Sequence, residues 1–340
     1  MVRNSSRVLL SWLMLAILSP RLALARIPEH PAQVNIPRLA RDATILFRGA
    51  VSTIVPGTTN HWGTKDAIAQ FVVDRWYRGM GPALVEVRFS YNSDWSVNGH
   101  DCIDFQPGSH WIVFAKGEAG PLQLVHDCEG ALPVSSRLAS ELPNSNDVFP
   151  LMLADFAAGL QDGSSEARIT SIQRLGNLRS PQALPFLQPL LQTRDGEEYE
   201  WAVYAALRSG DSRVLPAVKE FLQKYPDQRM PEFFMPREIM DTTDKAAIPD
   251  LLALLDGNPR VQAVALIALG RIGDRGVLPT VAPHLADTDR SVRYQALALL
   301  SKVTKAQACD IAPSSSDEEM NAKERECLAW WQQVGAVLPR

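Results

Sequence analysis

The fold of the second half of this chain is indicated most clearly by residues 261–279, which read VQAVALIALGRIGDRGVLP. The stretch Val261–Leu269 is apolar on most sides of a helix, so neighbours on both flanks have to cover it. A glycine-containing turn follows, and then Pro279, whose fixed φ and missing N–H suit the first turn of a helix. This order predicts two helices joined by a tight turn.

The same proline recurs along the chain at a helical-repeat period. Pro185, Pro216, Pro249 and Pro279 each follow two apolar residues and are separated by 31, 33 and 30 residues. Ala/Leu-rich helices precede three of these prolines, and the turns before the helices carry acidic or amide residues that can cap free N–H groups. These turns are residues 162–165, 256–259 and 287–289. A stacked array of helical pairs is therefore predicted from about 150 to 305.

These features resemble HEAT repeats, in the short bacterial form of the bilin-lyase-like proteins, with residues 269–279 as the strongest copy. The resemblance implies a helical solenoid whose concave surface binds a partner protein. No cofactor-attachment residues can be matched, so lyase activity is not carried over. The third copy departs from the pattern at Phe233, Phe234 and Met235. They are candidate partner contacts, since Phe and Met are favoured at contact surfaces, with core packing as the alternative.

The first half has a different pattern. Short apolar and β-branched runs separated by Gly, Pro and Asn predict five strands, at Thr44–Val55, Ala67–Tyr77, Ala83–Phe89, Trp111–Ala115 and Leu122–Val125. Five strands over about ninety residues suit a small closed barrel such as an OB-fold. The predicted class is thus a multidomain β + α fold, with a small OB-like β-barrel followed by an α-helical HEAT-type solenoid.

A second resemblance covers residues 41–137. It is carried by residues 46–51, 71–73, 76–79, Cys102, Phe105, Gly108, 111–115 and Cys128. Together they resemble the netrin-like module shared with tissue inhibitors of metalloproteinases. The inhibitors present a free amino-terminal cysteine to the protease zinc, whereas this mature chain is expected to begin at Arg26. The resemblance implies an OB-like binding or spacer module with a disulfide, and leaves inhibitor-like binding as an alternative function.

Residues 1–25 have the features of a secretory signal peptide. Arg3 and Arg7 precede an apolar stretch at 8–18, and Ala23-Leu24-Ala25 is a small-residue cleavage site. The chain is therefore expected to be exported to a periplasmic or extracellular location, without stable membrane insertion after cleavage. Removing three arginines with the signal would change the net charge from −4 to −7. This charge disfavours nucleic acid as a partner.

Export places the four cysteines in an oxidising setting, where an even count indicates disulfides. Three pairings are possible, and the shortest connections join Cys102 to Cys128 and Cys309 to Cys327. A competing hypothesis uses the repeated His-Asp-Cys tripeptide. His100, Cys102, His126 and Cys128 form a ligand set that zinc accepts, which would make the protein a metal-binding protein or a hydrolase.

No other catalytic constellation stands out. The sequence has no Gly-x-Ser-x-Gly, no His-Glu-x-x-His, and no phosphate or dinucleotide loop. Gly210-Asp211-Ser212 is interpreted as a turn between repeat helices. We therefore predict no enzyme activity and no cofactor, but an exported protein-interaction scaffold that binds through the concave repeat surface. A leader at 26–40, a linker at 138–149 and a disulfide-linked capping helix within 306–340 complete the predicted organisation.

Overall fold

The computed structural model describes residues 34–59, 64–92, 103–118, 120–126, 129–193, 196–224 and 238–334. A short helix, α1 (Ile36–Asp42), precedes the β module. The strands are β1 (Ile45–Thr59), β2 (Thr64–Arg78), β3 (Leu84–Asn92), β4 (His110–Lys116), β5 (Leu122–Leu124) and β6 (Ala131–Val134).

The first five strands close into a barrel. They follow the order β1-β2-β3-β5-β4, and β4 returns to pair with β1. Neighbours are antiparallel except β3 and β5, which run parallel. The predicted OB-like barrel is confirmed. The sixth strand, β6, pairs with β4 beyond β5 and was not predicted, because Ala-Leu-Pro-Val is short and contains a proline.

Aromatic side chains fill the barrel. The ring of Phe105 lies edge-on to Phe71, Phe89 and Trp111, with ring centroids 5.0, 4.7 and 4.9 Å apart. Edge-to-face pairs of this kind add to the stabilisation from burial alone. Gly49 in β1 lets the neighbouring strand approach closely, since a Cβ there would lie 2.7 Å from the carbonyl oxygen of Val72.

The second half of the molecule is helical. Its helices are α2 (Val148–Gly159), α3 (Ser165–Asn177), α4 (Leu184–Leu191), α5 (Gly196–Arg208), α6 (Leu215–Lys224), α7 (Ile248–Ala253), α8 (Pro259–Ile272), α9 (Leu278–Val281), α10 (Arg290–Thr304) and α11 (Asp317–Val334). Among the described residues, none of the helices combines the length and the apolar character needed to cross a membrane.

Long buried helices alternate with shorter helices that expose one face, except that two shorter helices, α6 and α7, follow each other in the described part of the chain. We call α3, α5, α8 and α10 the A helices, and α4, α6, α7 and α9 the B helices. In α5, every residue from Trp201 to Arg208 is buried, whereas Leu187 is the buried residue of α4. This alternation is the arrangement of a solenoid, in which each helical pair packs between its neighbours. The predicted solenoid is confirmed.

A capped 3-10 turn precedes each of the four B helices. In each turn the side chain of the N-cap residue accepts a hydrogen bond from the backbone N–H two residues later. The four N-cap residues are Ser180, Asp211, Asp244 and Asp274. The four prolines then occupy the second position of their B helices, where no helical N–H is required. Asn258 and Asp289 cap α8 and α10, as their positions in the sequence predicted.

The barrel and the helices share one hydrophobic core. Its buried members include Leu46, Ile112 and Phe114 of the barrel, Leu39 of α1, and Phe156 of α2. A second cluster, built around the barrel aromatics, fills the barrel interior. Residues 138–149, predicted to be a linker, therefore connect two parts that are already packed together.

The carboxyl-terminal end of the array is closed by α11. Cys309 and Cys327 form the disulfide that the sequence suggested, and both residues are fully buried. Within α11, Met320 is buried, and the half-buried Trp330 and Trp331 pack against the shared core. Helix α11 thus covers the last repeat.

Two glycines, Gly176 and Gly270, occupy the same position in their repeats, but alanine is expected to change stability in opposite directions at the two sites. A Cβ at Gly176 would lie 2.8 Å from the backbone Cα of Ala205, whereas a Cβ at Gly270 would make ordinary contacts of 3.6 Å with Leu299. We expect Gly176→Ala to cost about 1 to 3 kcal/mol by overpacking. Gly270→Ala should gain up to about 1 kcal/mol of helix propensity. Urea unfolding of both variants measures the difference, and destabilisation of equal size would contradict it.

Candidate protein-interaction surface

The A helices of the first two repeats lie against the protein's own amino-terminal part. Arg174 of α3 donates from Nε to the carbonyl of Pro133 in β6, at 3.0 Å. Arg208 of α5 donates to the carbonyl of Val34, just before α1, at 3.1 Å. Both arginines are buried. Burial, and then the charge of Arg208, lower the pKa of Arg174 to about 9. On this side, the first repeats are therefore covered by the protein's own amino-terminal part.

A buried carboxylate joins the barrel to α2. Asp155 accepts hydrogen bonds from Arg75 and Tyr77 of β2, both at 2.5 Å, and from the backbone N–H of Ala139 at 2.9 Å. Burial, and then the negative charge of Asp155, raise the pKa of Tyr77 well above its usual value. Tyr77 is therefore a neutral donor at physiological pH. The network holds β2 against the start of the helical array.

The B helices form the open side of the array. A groove of about 460 Å³ lies between α4 and α6. Its apolar lining consists of Leu184, Leu191, Val214, Pro216 and Ala217, and its polar lining consists of Gln188, Gln192, Tyr199, Asp211, Arg213 and Glu220. Phe186, on the same helix α4, is 39% exposed.

The chemistry of this groove suits a protein segment. Gln188 and Gln192 lie one helical turn apart, and their amide groups can both donate to and accept from a peptide backbone. Asp211 accepts two hydrogen bonds from the guanidinium of Arg213, at 2.7 and 2.9 Å. The groove therefore combines apolar residues with amide and charged groups in its lining, which is the composition of a contact surface.

A second, polar cavity of about 430 Å³ lies at the turns between A and B helices. Its lining includes Arg208 and Glu238, whose side chains form an ion pair at 3.4 Å. Tyr204 lies beside this pair, and burial raises its pKa to about 12. Ser212, in the predicted Gly-Asp-Ser turn, donates to Asp244 of the next turn at 3.2 Å. That segment is a structural turn, as interpreted from the sequence.

Of the four residues in the zinc hypothesis, His126 belongs to the described part of the chain. Its Nε2 lies 2.7 Å from Asp42, and its Nδ1 lies 3.4 Å from Arg38. Since arginine can only donate, Nδ1 accepts and Nε2–H donates to the carboxylate. This hydrogen bond is the main cause that lowers the pKa of Asp42. Both ring nitrogens of His126 thus have protein partners.

The other residues of that hypothesis, His100, Cys102 and Cys128, lie outside the described residues, as does the predicted Cys102–Cys128 disulfide. Within the described ranges, no group of three or more His, Cys, Asp or Glu side chains is arranged to hold a metal. Phe233, Phe234 and Met235 also lie outside the described residues, so their role as partner contacts stays a prediction.

The buried polar residues that join the helical array to the amino-terminal part were not predicted from the sequence. Arg174 and Arg208 each interrupt an otherwise apolar helix face, and a charged residue at such a position signals a buried polar contact. Asp155 lies in the middle of α2 among apolar neighbours and carries the same signal. Their partners come from residues 133, 34 and 75–77, which are distant in sequence, so the contacts themselves were not predictable from local pattern.

Comparison with known proteins supports the repeat assignment. The family model of HEAT repeats matches residues 153–230 and 248–319, which extends past the predicted limit of 305 into α11. The helical half of the chain therefore contains HEAT repeats, as predicted. A search of curated proteins finds no match.

Among solved structures, similarity is found to a chain in the complex of CpcE and CpcF of phycocyanin lyase from Nostoc sp. PCC7120. The sequences are 21% identical, the TM-score is 0.35, and the similarity covers 52% of this chain and 71% of the other. The netrin-like resemblance of the barrel stays a prediction.

Proposed function

We propose that this protein is an exported, non-catalytic scaffold that binds a partner protein through its HEAT repeats, and that the B helices provide the binding surface. The observation that carries the proposal is the asymmetry of the array. The A helices of the first repeats contact β6 and the segment before α1, while the B helices expose a groove with both apolar and polar lining residues.

In this proposal the barrel stabilises the first repeats. The Asp155 network and the shared core fix it against α2 and α3, so the B side of α4 and α6 is held in one geometry. A preformed surface loses less conformational entropy on binding than a mobile one. This supports protein binding by a rigid surface.

The test uses the chain from Arg26 to Arg340, immobilised and incubated with the periplasmic or extracellular fraction of its own source. A groove variant, Phe186→Ala with Gln188→Ala and Gln192→Ala, changes exposed side chains of α4 and its end. The matched control, Met80→Ala with Leu84→Ala, changes barrel side chains that are 94% and 51% exposed. Bound proteins are identified and quantified by mass spectrometry.

We expect a specific partner whose recovery falls at least about tenfold in the groove variant, as for loss of a contact cluster, and is unchanged in the control. Loss of the partner only in the barrel variant would reject the B surface as the binding site. Export is tested separately by the amino-terminal sequence of the protein recovered from the same fraction, which should begin at Arg26.

A further inference from the structure

Helix α4 presents an exposed surface without charged residues. The chain has no Asp, Glu, Lys or Arg at residues 181–193, although these residues make up 21% of the sequence. Pro185, Phe186, Gln188 and Pro189 are exposed in this stretch, and Pro185 and Pro189 lie beyond the lining of the groove. Charged residues are common on the outer side of a surface helix and depleted at the centre of a protein contact. The composition of α4 is therefore that of a contact centre that extends past the groove.

The groove between α4 and α6 is lined by side chains at helical spacing. On α4, Leu184 and Leu191 lie two turns apart, with Gln188 between them. On α6, Pro216 and Glu220 lie one turn apart. Each helix thus contributes one stripe of side chains to the groove. The stripe of α4 is apolar with an amide, and the stripe of α6 joins an apolar residue to an acid.

Glu220 accounts for the net charge of this groove. The lining contains three charged residues, and two of them, Asp211 and Arg213, pair with each other at 2.7 Å. The neighbouring lysine, Lys219, pairs with Asp256 at 3.4 Å. Among the described side chains, none forms an ion pair with Glu220. The described lining therefore has one net negative charge, on the side of α6.

The fold gives Glu220 no evident stabilising role. It is exposed and lies beyond the first turn of α6, where the helix dipole would favour an acidic side chain. When a partner covers the groove, this carboxylate loses part of its hydration. That loss is costly unless an opposite charge approaches the carboxylate. Glu220 therefore makes the groove selective for the charge of the partner.

We propose that the groove binds an apolar segment of the partner protein that carries a lysine or arginine, and that this cation pairs with Glu220. The inference rests on the proposed function, because it specifies the partner of the same surface. Apolar side chains of the segment cover Leu184 and Leu191, and the amides of Gln188 and Gln192 hydrogen-bond to its backbone. Acidic and phosphorylated segments are disfavoured by repulsion from Glu220.

A displayed peptide library tests this charge preference. Random peptides of about twelve residues on phage are selected against the immobilised chain from Arg26 to Arg340, since short segments can occupy a groove between helices. We expect the enriched sequences to combine a lysine or arginine with several apolar residues, and to contain fewer acidic residues than the unselected library. Selection against Glu220→Lys should reverse the preference and enrich Asp and Glu.

The affinity of one enriched peptide, measured by fluorescence anisotropy, locates its binding site. Glu220→Gln should weaken binding about fivefold, and Glu220→Lys at least about tenfold. A peptide with glutamate in place of its basic residue should bind Glu220→Lys more tightly than the wild type. Glu318→Lys is the matched control, because it makes the same change of net charge at an exposed acid of α11. It should leave the affinity unchanged.

The groove variant Phe186→Ala with Gln188→Ala and Gln192→Ala separates this inference from the proposed function. Peptides that lose affinity in the groove variant but bind Glu220→Lys as tightly as the wild type would overturn the inference and leave the groove as a protein-binding surface. Peptides that bind the groove variant at wild-type strength would count against both. Enrichment of acidic sequences, or of none, would also overturn the inference, and recovery of a partner from the extract then decides the proposed function.

Discussion

Replacement of Asp155 by alanine is expected to lower the free energy of unfolding by about 3 to 5 kcal/mol. The variant leaves the hydroxyl of Tyr77 buried without its acceptor and the guanidinium of Arg75 without its counter-charge. It also removes the acceptor of the Ala139 N–H. Urea unfolding followed by circular dichroism at neutral pH measures the loss.

Tyr77→Phe is the matched control, because it removes one of the three hydrogen bonds and leaves the ion pair in place. Its cost should be about 1 kcal/mol. If the network fixes the barrel, the Asp155 variant should also become more sensitive to proteases within residues 138–149. A loss below about 1 kcal/mol in Asp155→Ala would contradict the importance assigned to this junction.

The double variant Cys309→Ser with Cys327→Ser is expected to lose about 3 kcal/mol of stability. The bridge closes a loop with a sequence separation of 18 residues. In the chain-entropy account, such a cross-link stabilises the folded state by restricting the unfolded chain. Two buried hydroxyls replace the bridge, and their desolvation adds to the loss.

Hydrogen exchange shows which part of the chain loses stability when the disulfide is removed. Amides of α11 and of the end of α10 should exchange faster in the double variant, while amides of the barrel keep their wild-type protection, since local opening is confined to the released end. Wild-type protein treated with a reductant and unfolded is the control for the serine substitutions. Equal stability of the double variant and the oxidised wild type would contradict the prediction.

The repeat array was predictable from sequence because its signals are local. The prolines, the capping residues of the turns and the Ala/Leu-rich A helices each act within one helical pair, so a single copy such as residues 261–279 indicates the architecture. The barrel strands were predictable for the same reason, from alternation within each strand.

The contacts that define the open surface were not predictable in this way. Helix α1 has seven residues and little sequence pattern, yet the segment containing it packs on α5 through Val34. The polar cavity at the repeat turns is likewise lined by three turns that are distant in sequence. Which side of the array stays open depends on which side the amino-terminal part covers. Packing between segments that are distant in sequence decides this.

The shared core of barrel and helices has a consequence for how the chain can be divided. A barrel fragment covering residues 41–137 would expose Leu46, Ile112 and Phe114, which the intact molecule buries. The first repeats would likewise lose the cover of their A helices. Barrel and first repeats should therefore melt in one transition, and natural variation in the number of repeats should occur beyond α7, where added pairs leave that junction intact.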